Sequence, residues 1–138
     1  MQRTRTLAFL ALCACGSNTL NGAFAKAWLG TSTVTILRQA PVDFPSQLNI
    51  TVSGDSATLT NICPDGSGSM TATGSANSAA WSGSVACFVP GNSCIVTLTY
   101  KSTALSLSTD NRTITSDASG AADGCGLNNT FTVHFVGT

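Results

Sequence analysis

Residues 79–100, AAWSGSVACFVPGNSCIVTLTY, read as a β-hairpin. Pro90-Gly91-Asn92 is turn chemistry, because proline presets one backbone angle while glycine and asparagine tolerate the left-handed region. Setting Cys87 against Cys94 places Val85 opposite Val96, Gly83 opposite Leu98 and Trp81 opposite Tyr100, which makes one face apolar. The alternate residues, Ala80, Ser82, Ser84 and Ala86 against Ile95, Thr97, Thr99 and Lys101, are mostly small or polar. That is the pattern of an antiparallel pair with one buried side.

The same period of two runs outward in both directions. Val34 and Ile36 alternate with Thr33 and Thr35, and Leu48, Ile50 and Val52 alternate with Asn49, Thr51 and Ser53. Between them, residues 41–45 read as a loop, since Pro41 and Pro45 exclude a sheet interior. Gly54-Asp55 turns into a strand over 57–63, Cys63-Pro64-Asp65-Gly66 turns again, and a Gly/Ser/Ala-rich strand follows around Met70. Leu105 and Leu107, then Ile114, mark two further strands joined near Asp110-Asn111, and Phe131, Val133 and Phe135 close the chain. No helical window interrupts this spacing. The expectation is an all-β domain of about eight or nine antiparallel strands in meander order, a small barrel or sandwich.

Composition agrees. Of 138 residues only 9% are charged and 43% are hydrophobic, with 13 Gly and no Glu, so strands and tight turns are favoured over helices. The length suits one domain. Formal net charge is +0; without Arg3 and Arg5, the remaining Lys26, Arg38, Lys101 and Arg112 face six Asp, a net of −2. That balance lacks the basic footprint of a nucleic-acid binder.

Residues 1–14 have the build of a secretory signal, with Arg3 and Arg5 ahead of the short apolar run 7–12. The following Leu12-Cys13-Ala14-Cys15-Gly16 resembles the lipobox of bacterial lipoproteins, with Cys13 standing where Ala or Ser is more usual. The resemblance covers only the first 16 residues. It implies lipidation of Cys15, attachment to a membrane through that N-terminal lipid and, with Gly16 in place of an Asp, the outer membrane, on its periplasmic or surface side. Cleavage after Ala23-Phe24-Ala25 is the alternative, and it gives a secreted protein. Residues 15–27 then read as anchor and flexible tether with a reach on the order of 20 Å, leaving 28–138 as the domain.

Cys63, Cys87, Cys94 and Cys125 are an even set in an exported domain and are expected to form disulfides. Pairing Cys87 with Cys94 across the hairpin leaves Cys63 for Cys125. Zinc is not indicated, because the gaps lack ligand spacing.

No catalytic set assembles from the sequence. His134, the single histidine, falls on the face opposite Phe131, Val133 and Phe135. Gly54-Asp55-Ser56 resembles the nucleophile block of GDS-type esterases, but Phe131 stands where those enzymes carry Asp, three residues before the histidine. The segment 117–124 offers Asp and Gly as a tight turn would, without an EF-hand's alternation. No cofactor is implied. What remains is Trp81 and Tyr100, either a packed pair or, with Met70, the lining of a cavity beside the small residues Ala72, Gly74, Ala79 and Gly83. Three functions follow: a non-catalytic binding or interaction module, a lipocalin-like carrier of a small apolar ligand, or an exported β-barrel protease inhibitor that inserts residues 16–27 into its target.

Overall fold

The computed structural model describes residues 18–89 and 91–138; the signal segment, Cys13 and Cys15 lie outside the described residues. Nine strands follow one 3-10 turn, Gly22–Phe24: β1 (Ala27–Ile36), β2 (Val42–Ser53), β3 (Ser56–Thr60), β4 (Ser69–Ser75), β5 (Ser78–Ala80), β6 (Gly83–Val89), β7 (Cys94–Leu107), β8 (Ile114–Gly124) and β9 (Leu127–Gly137). All nine belong to one antiparallel sheet, ordered β5-β4-β3-β2-β1-β9-β8-β7-β6, and β5 also pairs with β7, so the pairing order returns on itself. The all-β expectation therefore holds.

The opening hairpin is present with a shifted register. Val89 pairs with Cys94, Cys87 with Val96, Val85 with Leu98 and Gly83 with Tyr100. The shift is two residues, because the turn is shorter than the one expected. An even shift preserves facing, so Val85, Cys87, Val96 and Tyr100 are buried as anticipated.

Strand β7 continues where two strands were expected. A register shift between Tyr100 and Ser102 leaves Lys101 as an extra residue against β8. That bulge resets the alternation, so Tyr100 and Leu105 both point inward although they are five positions apart. The segment 117–124 is likewise not a turn, since it lies within β8.

Pro45 sits inside β2, which corrects the loop expected at 41–45. The physical reason is local: residues 42–48 pair only with β1, because β3 first meets β2 at Asn49. A proline is tolerated where one side of the strand carries no partner.

The described part of the expected tether is also ordered. Leu20 N–H donates to Gly54 O, Asn21 N–H donates to Ala76 O, and Ala76 N–H donates to Thr19 O. The Asn21 side-chain amide donates to the side-chain oxygens of both Asn77 and Asn111, and its own Oδ1 accepts from Ala23 N–H. Phe24 is fully buried, and Leu20 nearly so. This segment ties the turns after β2, β4 and β7, all at one end of the sheet, and fills that end.

Two apolar clusters result. One joins Leu20, Phe24 and Trp28 to Ile50, Ala57, Leu105 and Ile114 at the filled end. The other joins Cys63, Met70, Val85, Cys87, Tyr100 and Phe131 toward the opposite end. The disulfides are Cys63–Cys87 and Cys94–Cys125, with Cα separations of 5.3 and 5.5 Å. All four predicted cysteines are bridged, but the expected pairing is replaced. Once Val89 rather than Cys87 stands opposite Cys94, the hairpin bridge is geometrically lost, and each cysteine pairs instead with a neighbouring turn.

Candidate functional site

A cavity of about 590 Å³ occupies the half of the sheet away from the N-terminal plug. Its origin can be traced along β8, whose inward positions are Ile114, Ser116, Ala118, Gly120 and Ala122. Beyond Ile114 these side chains are small, and facing strands cannot close over them. Gly120 is required as well: a Cβ there would lie 2.0 Å from Thr99 O, so β7 and β8 approach closely where β7 bulges. Leu98 of β7 and Val133 of β9 flank this wall as the register partners of Ala122 and Ala118, and Val34 and Ile36 of β1 also line the cavity.

The cavity meets solvent beside an interruption in the sheet. Residues 42–48 of β2 pair on one side only, and β6 pairs only with β7. The loop between β3 and β4 occupies the interval, and its Cys63 is bonded to Cys87 of β6. Asn61, Ile62, Pro64 and Gly66 of that loop line the cavity. Phe44, also on the wall, is 42% exposed and marks the mouth.

Trp81 and Tyr100 are both on the cavity wall; Met70 is buried in the adjoining cluster and is not part of the wall. The aromatic rings form a chain of edge contacts, Trp81 to Tyr100 at 6.1 Å between centroids and Tyr100 to Phe131 at 5.4 Å. Such contacts favour particular ring orientations and contribute on the order of 1 kcal/mol each. Trp81 lies at the break between β5 and β6, where ladder partners are missing. Thr103 supplies them: its hydroxyl accepts from Trp81 N–H at 2.7 Å and donates to Trp81 O. The indole is thus pinned at its root. Its Nε1–H is buried and has no hydrogen-bond partner, the one such side-chain atom among the described residues.

Among the described residues no charged side chain lines the cavity. Its polar groups are few and partly self-satisfied, as in the Ser32 to Ser46 hydroxyl contact of 2.6 Å. Burial pushes the Tyr100 hydroxyl up to about 12, so it stays protonated and neutral through the physiological range.

The sequence singled out Ala72, Gly74, Ala79 and Gly83 as residues that leave space. Ala72 and Ala79 instead pack in the filled end. Of the small residues that make the void, Ala118 and Ala122 fall in the segment 117–124 read as a turn and Ser116 directly precedes it; their alternation with Asp117 and Asp123 was the available signal.

His134 is outward, half exposed, and its Nδ1 lies 2.6 Å from Asp117 Oδ1 on the next strand. Among the described residues no hydroxyl hydrogen-bonds its other ring nitrogen, so the pair has an orienting carboxylate but no nucleophile. No group of three or more His, Cys, Asp or Glu side chains is placed to hold a metal among the described residues.

No protein-family model, curated protein or solved structure matches the chain.

Proposed function

We propose that this protein is a non-catalytic binder of small apolar molecules, exported and held to the cell envelope by a lipid on Cys15. The observation that carries the binding reading is the cavity of about 590 Å³ with no charged wall residue among the described residues. Its size falls in the range of small-molecule sites, which are concave, mostly apolar and supplied with a few polar groups. Two disulfides support export to an oxidising compartment. The lipobox-like residues 12–15 support the anchor and, with Gly16, the outer membrane.

Titration of the mature protein with the uncharged fluorophore N-phenyl-1-naphthylamine tests the reading. One saturable site is expected, lost when Ala118 is changed to Leu. Absence of saturable binding to folded protein would remove it. The anchor is tested separately: Cys15→Ser should move the protein from the membrane to the soluble fraction, and unchanged membrane retention would discard the lipid.

The interaction-module reading keeps one specific support. Phe88 and Ile95 are 46% and 60% exposed, and they are direct cross-strand partners on the outer face of β6 and β7. The inhibitor reading has lost its supply of free chain, because residues 19–26 are occupied in filling the sheet.

A further inference from the structure

The geometry points to a ligand that is uncharged and apolar but carries one hydrogen-bond acceptor, such as a ketone or ester carbonyl, which pairs with Trp81 Nε1–H. This inference rests on the binding reading above and narrows its ligand class. Three observations converge on it. Among the described residues the wall holds no Asp, Glu, Lys, Arg or His, so an ion entering the cavity would be desolvated without a counter-charge. Trp81 belongs to that wall, and its Nε1 is the one buried side-chain polar atom without a partner among the described residues. Such an orphan is costly and uncommon in folded proteins.

The second tryptophan shows what this chain does when an indole is purely structural. Trp28 is fully buried, and its Nε1 donates to Phe24 O at 2.9 Å. Trp81 has no equivalent, although its backbone N–H and C=O are both satisfied by Thr103. Its main chain is held while its side-chain donor is left over. The donor is shut off from the open space of the cavity, so an acceptor on the ligand meets it only when the indole turns on its side-chain torsions. Tyr100, neutral at physiological pH and in edge contact with Trp81, flanks the same spot without introducing charge.

Two isosteric, uncharged probes test this: 1-tetralone, which has a carbonyl, and tetralin, which lacks it. Each is used to displace N-phenyl-1-naphthylamine from the mature, disulfide-bonded protein. In the wild type, 1-tetralone is expected to compete at least as well as tetralin despite the cost of dehydrating its carbonyl. In Trp81→Phe, 1-tetralone should weaken about tenfold while tetralin changes less than twofold, the worth of one satisfied buried hydrogen bond.

A measurement on the unaltered protein guards against a misfolded variant. In ¹⁵N–¹H spectra the Trp81 indole resonance, assigned with Trp28→Phe, should shift with 1-tetralone and stay within a tenth of that shift with tetralin. The Trp28 resonance should move with neither. If both probes bind but the ketone moves neither the Trp81 resonance nor the affinity ratio, the acceptor inference is wrong and the cavity reading stands. If neither probe nor the fluorophore binds, the cavity reading fails first and takes the inference with it.

Discussion

At the plugged end of the sheet, Phe24, Trp28, Leu105 and Ile114 meet with essentially no exposure. At the other end, Ser116, Ala118 and Ala122 face a void that one copy of the chain does not fill. Both ends use the same strands, with β1, β2, β7, β8 and β9 running through each. The difference lies in what is set against them. One end receives an extra segment carrying Leu20 and Phe24, whereas the other loses β3, β4 and β5 as ladder partners and is spanned by a bridged loop. Stability and vacancy are thus separated along a single sheet, and space for a ligand need not weaken the whole.

Substitutions on either side can break that comparison. Phe24→Ala, in the filled end, is expected to cost about 3–5 kcal/mol in urea unfolding, as full burial of a large aromatic implies. Leu98→Ala, on the cavity wall, should cost roughly 1 kcal/mol, because it already borders empty space. Equal losses would show that the two ends are packed alike.

Removing Cys63–Cys87 by a double alanine substitution should cost about 2–4 kcal/mol and speed release of a bound fluorophore, since this bridge anchors the loop beside the mouth. Removing Cys94–Cys125, which closes a comparable separation of 31 residues, should cost a similar amount and leave release unchanged. Stopped-flow displacement distinguishes the two. Matching release rates would place the mouth elsewhere.

Tyr100 supplies a third test. The folded protein keeps its phenolic proton to about 12, whereas the unfolded chain loses it near 10, so folded stability is undiminished below the lower value and falls as pH rises between them. The loss is at most about 3 kcal/mol, and Tyr100→Phe should remove it. As the single tyrosine, it can be followed at 295 nm without interference from another. A midpoint near 10 would mean that the cavity wall is wet at this position.

The smallest stability effect belongs to Ala118→Leu. Filling the void should change unfolding free energy by under about 1 kcal/mol while abolishing fluorophore binding. Binding that survives would move the site out of the sheet.

Much of this fold was legible because period-two alternation is a local property. Ile50, Val52, Phe131 and Phe135 announce their strands without reference to the rest of the chain, and even the misjudged hairpin register kept the correct residues inside. What was not legible depended on distant segments. The cysteine pairing follows from which turns become neighbours around the sheet, information absent from the spacing between residues 87 and 94. Pro45 looked like a strand breaker because its strand's second neighbour stops short at Asn49, a fact of topology. The plug was hidden by composition: Asn, Gly and Thr around Leu20 and Phe24 suggested a tether, and the two apolar side chains four residues apart were the overlooked sign. Half of the aromatic site, Trp81 and Tyr100, was visible as large side chains in a sequence poor in them. The vacancy beside it was not, since it comes from small residues that look like a turn.

The first and last strands of the domain are partners, from Gly30 with Gly137 to Ile36 with Phe131. A Cβ on Gly30 would sit 1.9 Å from Val136 O, so this seam is tight. The seam therefore closes only after the C-terminal residues have emerged. Until that moment the sheet stays open at this seam, and a chain that loses its final strand keeps two raw edges, on β1 and β8, where the seam should be.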